Sequence, residues 1–70
     1  MTTGIIVNYD PEEESGFILV DHTDDKVPFD TEAVEDFQEG EMLYAGQRVE
    51  LRVEGGPVGV WATHVRRLPS

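Results

Sequence analysis

Cysteine is absent from this 70-residue chain, which excludes disulfide staples and cysteine-ligated zinc and fits a reducing compartment. Long apolar runs are absent too, and none approaches the roughly 20 residues that a membrane-spanning helix needs. Met1-Thr2-Thr3 carries neither the basic nor the apolar stretch that opens a secretory signal, so a soluble, cytoplasmic protein with no membrane partner is the expectation. Positive charge is scarce: Lys and Arg number 5 against 15 Asp and Glu, a formal net charge of −10. Proteins that track phosphate backbones neutralise phosphates with Lys and Arg and gain affinity from released counterions. A chain this acidic repels them. Lys26 is the only Lys or Arg before Arg48, whereas Arg48, Arg52, Arg66 and Arg67 all lie in the last third, so one edge of the folded body should be locally basic.

A chain of this length makes one domain, 1–70, and buries only about 60% of its unfolded surface. That leaves no room for a second domain or a deep enzyme cleft. An apolar fraction of 39%, gathered in short clusters of Val, Ile, Leu and Phe, favours a small all-β core over disorder. Gly4-Ile5-Ile6-Val7-Asn8-Tyr9 reads as a first strand ended by Asp10-Pro11. Apolar residues on both parities leave its inward face open. Glu12-Glu13-Glu14 is a solvated loop, Gly16-Phe17-Ile18-Leu19-Val20 a second strand, and Asp21 to Asp25 a polar turn. Lys26-Val27-Pro28-Phe29-Asp30 alternates as a short third strand, with Val27 and Phe29 on one face. Pro28 removes a ladder donor there and places its amide position on an unpaired side or at a bulge.

Thr31-Glu32-Ala33-Val34 opens as a helical turn with Thr31 at the N-cap. An acidic loop from Glu35 to Ala45 follows, holding Phe37, Met42, Leu43 and Tyr44. Val49, Leu51 and Val53 then alternate with Arg48, Glu50 and Arg52 as the cleanest half-buried strand of the chain. Gly55-Gly56-Pro57 forms a turn, and Val58 to Leu68 is the last strand. Five short strands with no long helix predict a small antiparallel barrel in which Ile18, Val27, Phe29, Val49, Leu51 and Val53 point inward.

Nothing in the sequence assembles a catalytic or metal site. Asp21, Asp24 and Asp25 lack the regular alternation, central glycine and terminal glutamate of an EF-hand loop. His22 and His64 have no ligand spacing, Ser15 has no base placed beside it, and no glycine-rich phosphate loop is present. No enzyme activity, cofactor or metal is expected.

From Thr3 to Leu68 the chain resembles the bacterial cold-shock proteins. Gly4-Ile5-Ile6, Gly16-Phe17-Ile18, Val27, Ala33-Val34, Gly46-Gln47-Arg48-Val49, Gly56, Gly59, Ala62, Val65 and Leu68 fall where that family has matching glycines and core residues. The resemblance implies a five-stranded antiparallel OB-fold barrel of the cold-shock-domain kind, with Ile6 inward. It also implies a nucleic-acid face, and here the match breaks. Where the family has Lys-Trp-Phe-Asn this chain has Val7-Asn8-Tyr9-Asp10, where it has Lys-Gly-Phe-Gly-Phe this chain has Glu13-Glu14-Ser15-Gly16-Phe17, and where it has Phe-Val-His-Phe this chain has Pro28-Phe29-Asp30-Thr31. Tyr9 and Phe17 remain as stackers on that face, while Glu13 and Asp30 carry acid in place of base.

Two function classes follow. The favoured one is a module that binds a protein partner, basic or belonging to the nucleic-acid machinery of transcription or translation, through Glu12, Glu13, Glu14, Asp30 and Trp61. The alternative is weak single-stranded RNA or DNA binding through Tyr9, Phe17, Trp61, Arg48 and Arg52. Each of these residues has a plainer role beside it: cross-strand packing for Phe17 and Tyr9, capping of the barrel end for Trp61, solvated pairing with carboxylates for the arginines. Crowded carboxylates also repel one another, so moderate salt or mildly lower pH should stabilise the fold by screening or neutralisation. Thermal midpoints are expected to rise from low to physiological sodium chloride, and a steady fall over that range would refute the self-repulsion.

Overall fold

A computed structural model describes residues 2–69. Its strands are β1 (Thr2–Asp10), β2 (Ser15–Val20), β3 (Lys26–Asp30), β4 (Arg48–Gly56) and β5 (Gly59–Arg67), with one 3₁₀ turn, Thr31–Ala33, after β3. They form one antiparallel sheet in the order β3-β2-β1-β4-β5. The edge strands β3 and β5 approach within 8 Å between Cα atoms, but no ladder joins them and the sheet is not closed. β3 holds Pro28 on an edge strand, the position where a missing ladder donor is tolerated.

The inner face carries the core. Ile18, Val27, Phe29, Val49 and Leu51 are buried as the strand pattern predicts and Ile6 as the resemblance implies, joined by Val34, Leu43, Ala62 and Val65. Ile6 faces Ile18, which in turn faces Val27, so one row of β-branched side chains crosses three strands. A bulge in β1 then changes the parity: Ile6 pairs with Ile18 but Asn8 pairs with Phe17, leaving Val7 without a partner in β2. An extra residue on one strand bends it and turns the following side chains over. Tyr9 therefore falls in register with Gly16, and Gly16 with Phe29. The Tyr9 and Phe29 rings stack at 6.4 Å between centroids, inclined by 18°. Gly16 has no substitute at this crossing, because a Cβ there would lie 2.1 Å from the Asn8 carbonyl oxygen.

The acidic loop is less irregular than its composition suggests. Leu43 inserts into the core and Phe37 packs against it, while Met42 and Tyr44 stay exposed. The Glu35 amide donates to the Val65 carbonyl at 2.8 Å, and Val34 forms a bridge with Val65. Arg67 holds the loop's far side, ion-paired with Glu41 and donating to the Asp36 carbonyl at 3.2 Å.

Two expectations are corrected. Asp30, not Thr31, caps the 3₁₀ turn, its carboxylate accepting from the Glu32 amide at 3.0 Å. Val53, expected inside, is 37% exposed. Among the described residues, pairing of β1 with β4 ends at Thr2 and Leu51, a bulge interrupts β4 and β5 at Arg52 and Val53, and beyond it the two strands run on as a ribbon with no described ladder to β1. Alternation along the strand continues past the point where the core stops. A matched pair of substitutions measures this: Val49→Thr places a hydroxyl in a fully buried site and should cost about 1–3 kcal/mol, whereas Val53→Thr should stay within about 0.5 kcal/mol. Urea denaturation of both variants reads the difference, and equal losses would contradict the assignment.

Candidate binding surfaces

The outer face of β1, β2 and β3 is where the sequence placed a binding surface, and the ladder pairs show its composition row by row. Asn8, Phe17 and Pro28 form one row, Asp10, Ser15 and Asp30 the next, and Ile5, Leu19 and Lys26 a third. Phe17 is 42% exposed, and the Lys26 Nζ lies 6.0 Å from its ring centroid, within cation–π range. Tyr9 does not join it. The β1 bulge turns Tyr9 to the inner side, where it is partly buried against the core, and burial first, then Glu14 and Asp10, pushes its phenol above the ordinary value. One ring rather than two therefore remains on this face.

The row that ends the face is acidic and locally ordered. Asp10 Oδ1 accepts from the Glu12 amide at 2.9 Å, shaping the turn through Glu12, Glu13 and Glu14. Glu14 adopts a left-handed conformation, φ 55°, and its carbonyl and carboxylate both accept from Thr31, at 3.0 and 3.2 Å. The acidic turn is thus tied to the 3₁₀ turn, with Asp30 between them. Glu12 and Glu13 stand exposed and take no part in an ion pair among the described residues.

The arginines divide into engaged and free. Arg48 grips Asp21 with both guanidinium nitrogens, at 2.8 and 2.6 Å, and the Thr3 hydroxyl donates to the same carboxylate at 2.6 Å. Arg67 is committed to Glu41. Arg52 and Arg66 have no ion-pair partner among the described residues. They sit on the outer face of β4 and β5, where Glu50 pairs with Arg66, Arg52 with His64 and Glu54 with Trp61. Arg52, His64 and Arg66, with Thr2, Glu35, Glu50, Leu51 and Val53, line a groove of about 650 Å³. Trp61 is 40% exposed and lies across Gly56, 3.4 Å from where a Cβ on that glycine would stand. Its indole rests on the ribbon's outside and does not cap the core.

Sequence reasoning missed the second apolar feature of this hairpin. Val53 and Val60 are both partly exposed and, with Val20 and Val27, border a smaller cavity beside Asp25 and Lys26. The unbroken alternation through Val53 hid it. No group of three or more His, Asp or Glu side chains comes together to hold a metal among the described residues, and no helix is long and apolar enough to cross a membrane.

Two carboxylates shift, and both shift downward. Hydrogen bonds from Arg48 and then Thr3 hold Asp21 at about 2, below its usual 3.8, and Arg67, then the Gln38 amide, lowers Glu41. Mild acid was expected to stabilise the fold through carboxylates held high, and these two act with the opposite sign. A folded-state value below the unfolded one adds stability that is present above about pH 4 and lost as the pH falls toward 2. No protein-family model matches the chain, and comparison with curated proteins finds no match. Asp21→Asn should remove part of the stability lost between about pH 4 and pH 2 while leaving the rest of the acid limb in place. Thermal midpoints across that range decide it, and a variant profile parallel to wild type would contradict the Asp21 contribution.

Proposed function

We propose that the protein is a small, non-enzymatic binding module, its sheet curled into a five-stranded OB-fold barrel of the cold-shock-like kind, that captures a basic protein partner through its acidic surface. The barrel reading is supported by the strand order, by the approach of β3 and β5 at the two ends of the sheet, and by the bridge from Val34 to Val65. The observation that carries the function is the distribution of charge. Residues 1–47 hold thirteen carboxylates and a single lysine, while residues 48–70 hold two carboxylates and four arginines. Such a field steers a basic partner toward the acidic half and turns polyanions away from it. Exposed Glu12 and Glu13, with Asp30 beside them, supply the rim. The resemblance to cold-shock proteins suggests that the partner belongs to the transcription or translation machinery.

A second reading, weak binding of single-stranded RNA or DNA in a cytoplasmic cold-shock-like protein, has its own support. Phe17 offers an exposed ring beneath Lys26, and Arg52 shares the outer face of the hairpin with Trp61. Against it stand Asn8, Ser15 and Pro28, which fill the rows around Phe17 with no further ring. Base stacking is worth about 1–3 kcal/mol per base, so its loss at three positions forfeits roughly 3–9 kcal/mol, set against the about 8 kcal/mol that a micromolar complex requires.

Pull-down from lysate with and without nuclease separates the two readings. Partners that persist after nuclease and elute with salt support protein capture, whereas partners lost with nuclease support nucleic acid. In fluorescence anisotropy with a labelled heptanucleotide, the wild type is expected to bind negligibly at physiological salt. Asn8→Trp, Glu13→Lys, Ser15→Phe and Pro28→Phe together should restore measurable binding, with Asp30 left in place because it caps the 3₁₀ turn. Tight binding by the wild type would overturn the protein-capture reading.

A further inference from the structure

Val49, Leu51 and Val53 alternate as one apolar face of β4, yet Val53 lacks the cover that the other two receive. Places where a local pattern holds and tertiary packing departs from it concentrate at functional sites. Val53 is not alone in this. Val53 pairs with Ala62 and Gly55 with Val60, so Val60, 49% exposed, stands on the same side of the ribbon. These two valines, with Val20 and the buried Val27, line a slot of about 330 Å³ whose remaining wall is Asp25 and Lys26. The slot lies between the β2–β3 turn and the β4–β5 ribbon, at the side of the sheet that no ladder closes. Gly55, paired with Val60, contributes no side chain to cover it.

The lining and the rim together select an occupant. The walls are aliphatic, so the group that gains by entering is an aliphatic side chain. Asp25 in that wall and Asp24 next to it in the chain are exposed and have no ion-pair partner among the described residues; Lys26 is the cation in the slot's own wall. A second copy of this chain would bring an identical acidic rim against the first, and a net charge of −10 on each opposes that approach. A basic segment meets both conditions.

Building on the acidic-capture reading, we propose that this slot is the partner's anchor point: it takes one leucine-sized side chain from a basic segment of another protein, with flanking Lys or Arg on Asp24 and Asp25. Aliphatic burial supplies register and residence, and the acidic field supplies encounter. The arrangement also accounts for an apolar ribbon left uncovered on a highly charged body.

The test uses two labelled nonapeptides of lysine, one with a central leucine and one with serine in its place. The full chain should bind the leucine peptide about ten- to hundredfold more tightly at matched salt. Trp61, the chain's one tryptophan, pairs with Glu54 on the ribbon's opposite face, so its emission should stay in place with both peptides, and a blue shift would put the peptide on that face and refute the slot. Val53→Thr with Val60→Thr keeps the side-chain volumes and should abolish the preference with the thermal midpoint retained. Val60→Thr alone, at the more exposed position, should weaken it. Equal binding of both peptides by the wild type overturns the slot and leaves acidic capture standing, while failure of both peptides to bind at low salt overturns the two together. A preference that survives in the double variant, or a reversible dimer in sedimentation that Val60→Thr dissolves, also refutes the proposal, the latter by making a second copy the occupant.

Discussion

Gly16 is the glycine with the least room for a side chain among the described residues: any Cβ there would stand 2.1 Å from the Asn8 carbonyl oxygen. Much of the sheet's shape depends on it. With β1 pressed against β2 at this crossing, Val7 bulges out of register, β1 bends, and the face presented by its last residues is exchanged. Tyr9 then covers the glycine from inside and stacks on Phe29, tying the edge strand β3 to the end of β1. Bulges strengthen local twist, and that twist brings β3 round toward β5. The same exchange costs the outer face a ring: it becomes the row Asn8, Phe17 and Pro28, with a single aromatic.

Charge organises what the glycines leave open. Exposed ion pairs contribute little stability one at a time, so the value of Arg48 and Arg67 lies in position. Arg48 draws Asp21, and with it the β2–β3 turn, against β4 beside Thr3. Arg67 holds Glu41 and the Asp36 carbonyl, keeping in place the loop that delivers Leu43 to the core. Once these two are committed, the remaining arginines stand on the outer side of the hairpin, away from the Glu12-Glu13-Glu14 turn. The protein has a strongly acidic half and a hairpin whose outer face is mixed in charge and whose inner face is partly uncovered. The proposed binding role rests on that contrast more than on any single residue.

Period-two alternation and glycine placement were enough to read five antiparallel strands, and six of the seven residues expected inside are buried: Ile6, Ile18, Val27, Phe29, Val49 and Leu51. Strand patterns of this kind report which side of a sheet a residue occupies, because the pleat imposes it locally. The scarcity of cations and the acidity of the turns were equally legible, since charge is additive along the chain. Tertiary structure alone decided the rest. Val53 keeps the inward parity and still meets solvent, because cover depends on where neighbouring strands end. Tyr9 sits inside because one unpaired residue, Val7, reverses parity, and no local signal announces a bulge that arises from the contact of β1 with Gly16. Asp30 became the cap because β3 delivers its carboxylate to the Glu32 amide. Arg48 was spent on Asp21, 27 positions away in the chain, a pairing that only folding across three strands creates.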